Sequence, residues 1–127
     1  MVMEHLRQDK LLFFDKSPEV YPLYAAFEEK LLALFPQTAI RVQKTQITFS
    51  QKHVFACVSL RRMGKGAGPR MTVTLGLPGP LASERVLALT EPYPGRWTVH
   101  IPVGDAAELD GELFAWIRQA VDFAQRK

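Results

Sequence analysis

Side chains that can bind anions are concentrated in the middle of the chain. Residues 37–104 contain nine lysines and arginines but only two glutamates, whereas residues 1–36 and 105–127 each carry a net charge of −2. The residues that we select from this chain as an anion-binding sheet face are Lys44, Lys52, Arg61, Arg85, Arg96, Trp97 and His100. A concentrated positive field attracts anions, from small phosphorylated or carboxylated molecules to nucleic acid. The alternative is that these cations lie on solvated sheet edges, where they prevent edge-to-edge pairing.

Lys44 lies where the apolar alternation changes register. The apolar positions 40 and 42 are even, whereas the apolar positions 47 and 49 are odd. Because a slip of one residue moves a hydrophobic set to the other face, the pattern predicts a bulge or bend between Gln43 and Thr45. Such a bulge often redirects a side chain near a site. The alternative is that residues 40–42 form a separate short arm and that Lys44 is solvated.

Residue types that support catalysis are sparse. Cys57 with His53 or His100 is the pairing that would suggest a nucleophile and its base, but the apolar neighbours of Cys57 favour an inert buried thiol. The three histidines lack the spacing of metal ligands, and the two central carboxylates lie near turns, away from a paired acid–base arrangement. We therefore predict no catalytic residue, no metal and no cofactor.

The glycine-rich basic loop 62–69 invites comparison with a phosphate-binding loop. A P-loop requires a strand–loop–helix context and the spacing GxxxxGK[ST]. Here a strand follows the loop, and neither serine nor threonine follows Lys65. The loop is predicted to be a hairpin tip, whose glycines and basic groups could still bind a backbone phosphate.

The elements that must position these residues form an α+β domain. We predict one domain, residues 1–127, in which residues 1–12 are loosely docked and Phe13 and Phe14 attach them to the body. A helix begins at Ser17-Pro18, with its main part entered at Pro22, and a last helix follows Asp105 or Asp110. The segments between them predict an antiparallel sheet of about five to six strands, with the N- and C-terminal helices packed mainly on one face.

Residues 40–60 are predicted to form the central hairpin, with the connection Ser50-Gln51-Lys52-His53. Its second strand is apolar on both faces between residues 54 and 58, which is typical of a strand that is covered on both sides. Phe55 and Cys57 are assigned to the face opposite the helices. A symmetric dimer, a ligand or a long loop would cover that face.

Composition limits the class of protein. The single cysteine excludes an internal disulfide, and with it the framework of small disulfide-bonded secreted proteins. The apolar run Leu11–Phe14 is too short for a signal-peptide core or a membrane span. We therefore expect a cytoplasmic protein without a membrane partner.

Several short motifs resemble a family of small bacterial domains of unknown function, over roughly residues 13–125. The matching pieces are Lys44–Phe49, Phe55–Val58, Ser83–Val86, Pro92–Thr98 and Trp116-Ile117. The chain is also distantly similar to the YdhG and YjbR-like α+β domains. No activity comes with the resemblance, but the recurrence of the motifs as a set implies that Lys44, Arg85, Arg96 and Trp97 lie together.

These observations favour a non-enzymatic binding module for an anionic ligand, either a small phosphorylated or carboxylated molecule or nucleic acid. A second hypothesis is a homodimeric interaction or structural protein that uses an exposed sheet face. The third is an enzyme of unknown class, which requires a carboxylate or histidine close to the basic residues.

Overall fold

A computed structural model describes residues 2–15, 17–60 and 71–126, with side chains from residue 8 onward. The helices are α1 (Val2–Phe13), α2 (Tyr21–Leu34) and α3 (Gly111–Gln125), with single helical turns at Pro18–Val20 and Ala106–Glu108. The strands are β1 (Ala39–Val42), β2 (Ile47–Ser50), β3 (Val54–Ser59), β4 (Met71–Leu77), β5 (Ala88–Tyr93) and β6 (Arg96–Val103). They form one six-stranded sheet in the order β1-β2-β3-β4-β6-β5, with every neighbouring pair antiparallel. The predicted α+β class with an antiparallel sheet is confirmed.

The segment predicted as the first strand of the central hairpin is two strands. Val42 of β1 pairs with Ile47 of β2, and the Gln43 amide donates a hydrogen bond to the Gln46 carbonyl at 2.8 Å. Of the two predicted irregularities beside Lys44 the bend is present and the bulge is not, because the chain reverses direction there and the register changes across a turn. The alternative, in which residues 40–42 form a separate short segment, agrees with β1. The connection between β2 and β3 lies at residues 51–53, one residue shorter than predicted because Ser50 belongs to β2.

A bulge occurs on β3 instead. Phe49 pairs with Ala56 and Ser50 pairs with Val54, so Phe55 is the extra residue in this strand. The Phe55 side chain is 1% exposed, and its ring centroid lies 6.5 Å from that of Phe35, which follows α2. The predicted placement of Phe55 on the uncovered face is wrong, because the bulge turns its ring into the helix-covered core.

Helices α2 and α3 cover one face of the sheet. The ring of Phe27 in α2 lies 5.6 Å from Phe49 of β2 and 5.9 Å from Phe114 of α3. The Asp110 carboxylate caps α3 by accepting a hydrogen bond from the Leu113 amide at 3.0 Å. Helix α1 contacts the edge strand β1. Within the described ranges, no helix has both the length and the apolar character needed to cross a membrane.

Candidate functional site

The sheet face opposite α2 and α3, here called the open face, carries polar side chains in a row across four strands. The strand registers place Thr48 beside Cys57, Cys57 beside Thr74, and Thr74 beside His100. Along their strands these residues alternate with buried apolar residues, so their side chains point away from the helices. A second row on the same face begins with Ser59 and Thr72, which pair with each other.

A cavity of about 550 Å³ lies on the open face, at the end of the sheet where β4 begins and β6 ends. Its described lining residues are Phe13, Lys44, Thr45, Gln46, Cys57, Ser59, Leu60, Thr72, Thr74 and His100. This set contains hydroxyl, amide, imidazole and ammonium groups but no carboxylate. The volume falls within the range of small-molecule sites, about 300–1,000 Å³.

Two adjacent aromatic residues at the end of α1 point to different sides of the fold. Phe14 is 1% exposed and packs against Tyr21 and Tyr24, with ring centroids 5.3 and 5.1 Å away. Phe13 lines the cavity, and a neighbouring cavity of about 340 Å³ shares both Phe13 and Lys44. The burial of Phe14 therefore fixes the end of α1 and positions Phe13 as a wall of the site.

The polar row is internally hydrogen-bonded. The Thr74 hydroxyl lies 2.9 Å from Nδ1 of His100. Burial raises the pKa of the Cys57 thiol, and a hydrogen bond with Thr74 offsets only part of this effect. At neutral pH Cys57 is therefore a protonated thiol, which is a poor nucleophile.

The structure does not pair Cys57 with a histidine. His100 lies two strands away from Cys57, with Thr74 between them, and two strand spacings amount to about 9.6 Å. This separation exceeds the reach of direct proton transfer between the two side chains. His53 lies exposed in the β2–β3 connection, at the opposite end of β3 from the cavity.

Of the predicted site residues, Lys44 and His100 line the cavity together. Lys52 in the β2–β3 connection and Arg96 at the start of β6 are exposed at the other end of the sheet, as the registers require. Trp97 pairs with the buried Leu77 and lies on the helix-covered face. Arg61 and the loop 62–69 lie outside the described residues.

Arg85 is bound to the start of α3, far from the cavity lining. One guanidinium nitrogen lies 2.9 Å from the Asp110 carboxylate and 3.0 Å from that of Glu112, and another donates to the Glu108 carbonyl at 2.7 Å. The guanidinium carbon also lies 5.5 Å from the centroid of the Trp116 ring. Desolvation opposes the charged form, but the hydrogen bonds that Arg85 donates to Asp110 and Glu112 outweigh it and raise the pKa of Arg85. Arg85 therefore joins the β4–β5 connection to α3, and the implied grouping of Lys44 with Arg85, Arg96 and Trp97 is not seen.

Sequence reasoning missed most of the cavity wall. Ser59, Thr72 and Thr74 occupy the polar positions of β3 and β4, and the alternation itself was the signal that could have identified them. Phe13 could not be identified in this way, because its position depends on how α1 docks. Within the described ranges, no three His, Cys, Asp or Glu side chains come together in a way that could hold a metal ion.

Comparison with known proteins shows the family. A family described as a domain of unknown function, DUF5655, matches residues 12–124. The chain belongs to this family. The matched range includes every described residue that lines the cavity. No curated protein and no solved structure matches the chain, so the further similarity to YdhG and YjbR-like domains is not shown.

Proposed function

We propose that this protein binds a small anionic molecule, a carboxylate or a phosphate, in the cavity on the open face and does not act on it chemically. The observation that carries the proposal is the composition of the cavity wall. Lys44 supplies a cation, Ser59 and Thr72 supply hydroxyl groups, and none of the described lining residues is acidic. A charge-assisted hydrogen bond from lysine is stronger than a neutral one, and hydroxyl groups satisfy the remaining anion oxygens.

Several features favour a binding role over catalysis. The Cys57 thiol is protonated at neutral pH, and Thr74 separates it from His100. Without a carboxylate in the described wall, a general acid–base pair would have to come from His100 and Lys44. The apolar side chains of Phe13 and Leu60 in an otherwise largely polar wall suit the enclosure of a small molecule.

A small molecule also fits better than nucleic acid. Binding to the phosphate backbone of a nucleic acid requires several cations arranged in a line along the protein surface. Lys44 lies at one end of the sheet, whereas Lys52 and Arg96 lie at the other, and Arg85 is occupied by two carboxylates. These four cations therefore form no continuous track across the open face.

The test is an NMR titration of the full chain with two probes, butyrate and inorganic phosphate, at constant ionic strength. Lys44→Gln removes the cation and is expected to weaken binding of the preferred probe roughly tenfold, as the loss of one charge-assisted hydrogen bond implies. Lys52→Gln is the matched control, because it removes an equal charge at the other end of the sheet. Its affinity is expected to stay within about twofold of the wild type.

The two probes distinguish a carboxylate site from a phosphate site, since one of them is expected to bind more tightly. Equal weakening by Lys44→Gln and Lys52→Gln would show that binding follows overall charge and would overturn the assignment. An unchanged affinity in Lys44→Gln would also overturn it. Tighter binding of an oligonucleotide than of either probe would support nucleic acid instead.

A further inference from the structure

A smaller cavity, here called the second cavity, lies on the open face beside the cavity of about 550 Å³, here called the first. Its volume is about 140 Å³, and it shares Cys57 and Thr74 with the larger cavity. Its described lining residues are Val54, Phe55, Ala56, Cys57, Thr74, Leu75, Gly76 and Thr98. The two cavities therefore follow each other along β3 and β4, from the end of the sheet that holds Lys44 towards the opposite end.

The two cavities differ in character. Lys44, Gln46 and His100 line the first, whereas the second has no charged side chain among its described lining residues. Its hydroxyl groups come from Thr74, which is already engaged with His100, and from Thr98. A ligand that occupies both cavities would place its charge near Lys44 and an uncharged part over β3 and β4.

Gly76 lies in the floor of the second cavity without any conformational or packing requirement for glycine. Gly95 is the described glycine with a positive φ, so the backbone at Gly76 is open to other residues. A Cβ atom added at Gly76 would meet no heavy atom within 4 Å. Glycine weakens the interior of a strand, yet β4 carries it at a position where a side chain would project into open space on this face.

We propose that the anion bound at Lys44 carries an extended, uncharged tail, and that Gly76 sets the length of tail that the site accepts. The inference rests on the proposed function and adds the class of ligand: an unbranched aliphatic carboxylate or phosphate ester. Thr72 and Gly76 are four residues apart on β4, or about 13 Å at the usual strand rise. At about 3.4 Å for every three bonds, an extended chain needs roughly eleven to twelve bonds to cover this distance.

The test is a series of NMR titrations with straight-chain carboxylates from acetate to dodecanoate, each kept below the concentration at which it forms micelles. For the wild type, affinity is expected to rise roughly twofold per added methylene, which corresponds to about half of the free energy gained when a methylene is fully buried. Over the series the affinity is expected to rise by at least tenfold. In Gly76→Leu the new side chain fills the second cavity, and the gain in affinity from acetate to dodecanoate is expected to fall below about threefold. Gly76→Ala, which adds one carbon, is expected to give an intermediate gain.

Thr90→Leu is the matched control. Thr90 is exposed and pairs with Thr98 on the same row, but it lies on the next strand outside the cavity lining. This variant is expected to keep the chain-length gain of the wild type. Equal gains in the wild type and Gly76→Leu, or no gain in the wild type, would overturn the inference. If the shortest probes bind the wild type and Lys44→Gln equally, or bind neither, the proposed function is overturned instead. The two failures are therefore distinguishable.

Discussion

Cys57 is the residue whose chemistry reports most directly on the site, because it lines both cavities. Burial raises the pKa of its thiol above the ordinary value of 9.0. Alkylation by iodoacetamide requires the thiolate. The rate in the folded protein is therefore expected to be slow at pH 7 and to reach its plateau at a higher pH than it does in the unfolded chain.

The same titration in denaturant provides the reference, since the unfolded thiol is expected to reach half of its maximal rate near its ordinary pKa. Thr74→Val removes the hydroxyl that partly stabilises the thiolate, so its folded rate at any fixed pH is expected to be lower than that of the wild type. A plateau below pH 9 in the folded wild type would mean that Cys57 is an activated thiolate.

Individual residues show how far the position of a side chain follows from the sequence. Lys44 and His100 were selected as site residues, and both line the cavity. Arg85 was selected for the same reason, its charge, but its partners Asp110 and Glu112 lie 25 and 27 residues further along the chain. Charge can be read from sequence, whereas the partner that neutralises it depends on tertiary contacts.

At the scale of elements, Asp110 links the start of α3 to the β4–β5 connection. Its carboxylate accepts from the Leu113 amide and from Arg85, and these hydrogen bonds, in that order, lower its pKa below the ordinary value of 3.8. Asp110→Ala is expected to lower the free energy of unfolding by about 1 kcal/mol at pH 7, mainly through the lost cap. Because the folded pKa is depressed, this stability is present above pH 3.8 and is lost as the pH falls through the folded value.

Denaturant unfolding at pH 7 and near pH 2 checks this expectation. The difference between wild type and Asp110→Ala should shrink at the lower pH. Asp110→Asn keeps a good capping side chain without the charge, so at pH 7 it should cost less than Asp110→Ala. Asp122→Ala, an exposed change on the same helix, should stay within about 0.5 kcal/mol of the wild type. An equal difference at both pH values would contradict the role assigned to the carboxylate.

The strands show where the sequence pattern determines which side chains face the core and where it does not. Alternation along β4 and β6 separates their buried apolar positions from their polar ones, because regular strands repeat every two residues. The same rule failed at Lys44 and at Phe55, where a turn and a bulge interrupt the repeat. A change of register has the same pattern in sequence whether the chain reverses or bulges, and the strand pairing alone decides between them.

At the scale of the whole molecule, the positive charge of residues 37–104 is less concentrated than the sequence indicates. Lys52 and Arg96 lie at the opposite end of the sheet from Lys44, and Arg85 pairs with carboxylates of α3. What distinguishes the cavity is therefore its polar wall and one cation rather than the net charge of the segment. Leu87, Leu89 and Tyr93 are exposed at or near the outer strand β5, and the predicted homodimer stays a prediction.

The measurement that tests the proposed site most directly is protection of Cys57 from alkylation by a bound anion. With iodoacetamide at pH 8.5, increasing butyrate or phosphate is expected to slow the reaction of the folded wild type. The protection should reach half of its maximum at the dissociation constant found by NMR. Lys44→Gln should require roughly tenfold more anion for the same protection, and sodium chloride at equal ionic strength should give none. A rate that stays the same while NMR shows the anion to be bound would place the binding site away from this cavity and contradict the account.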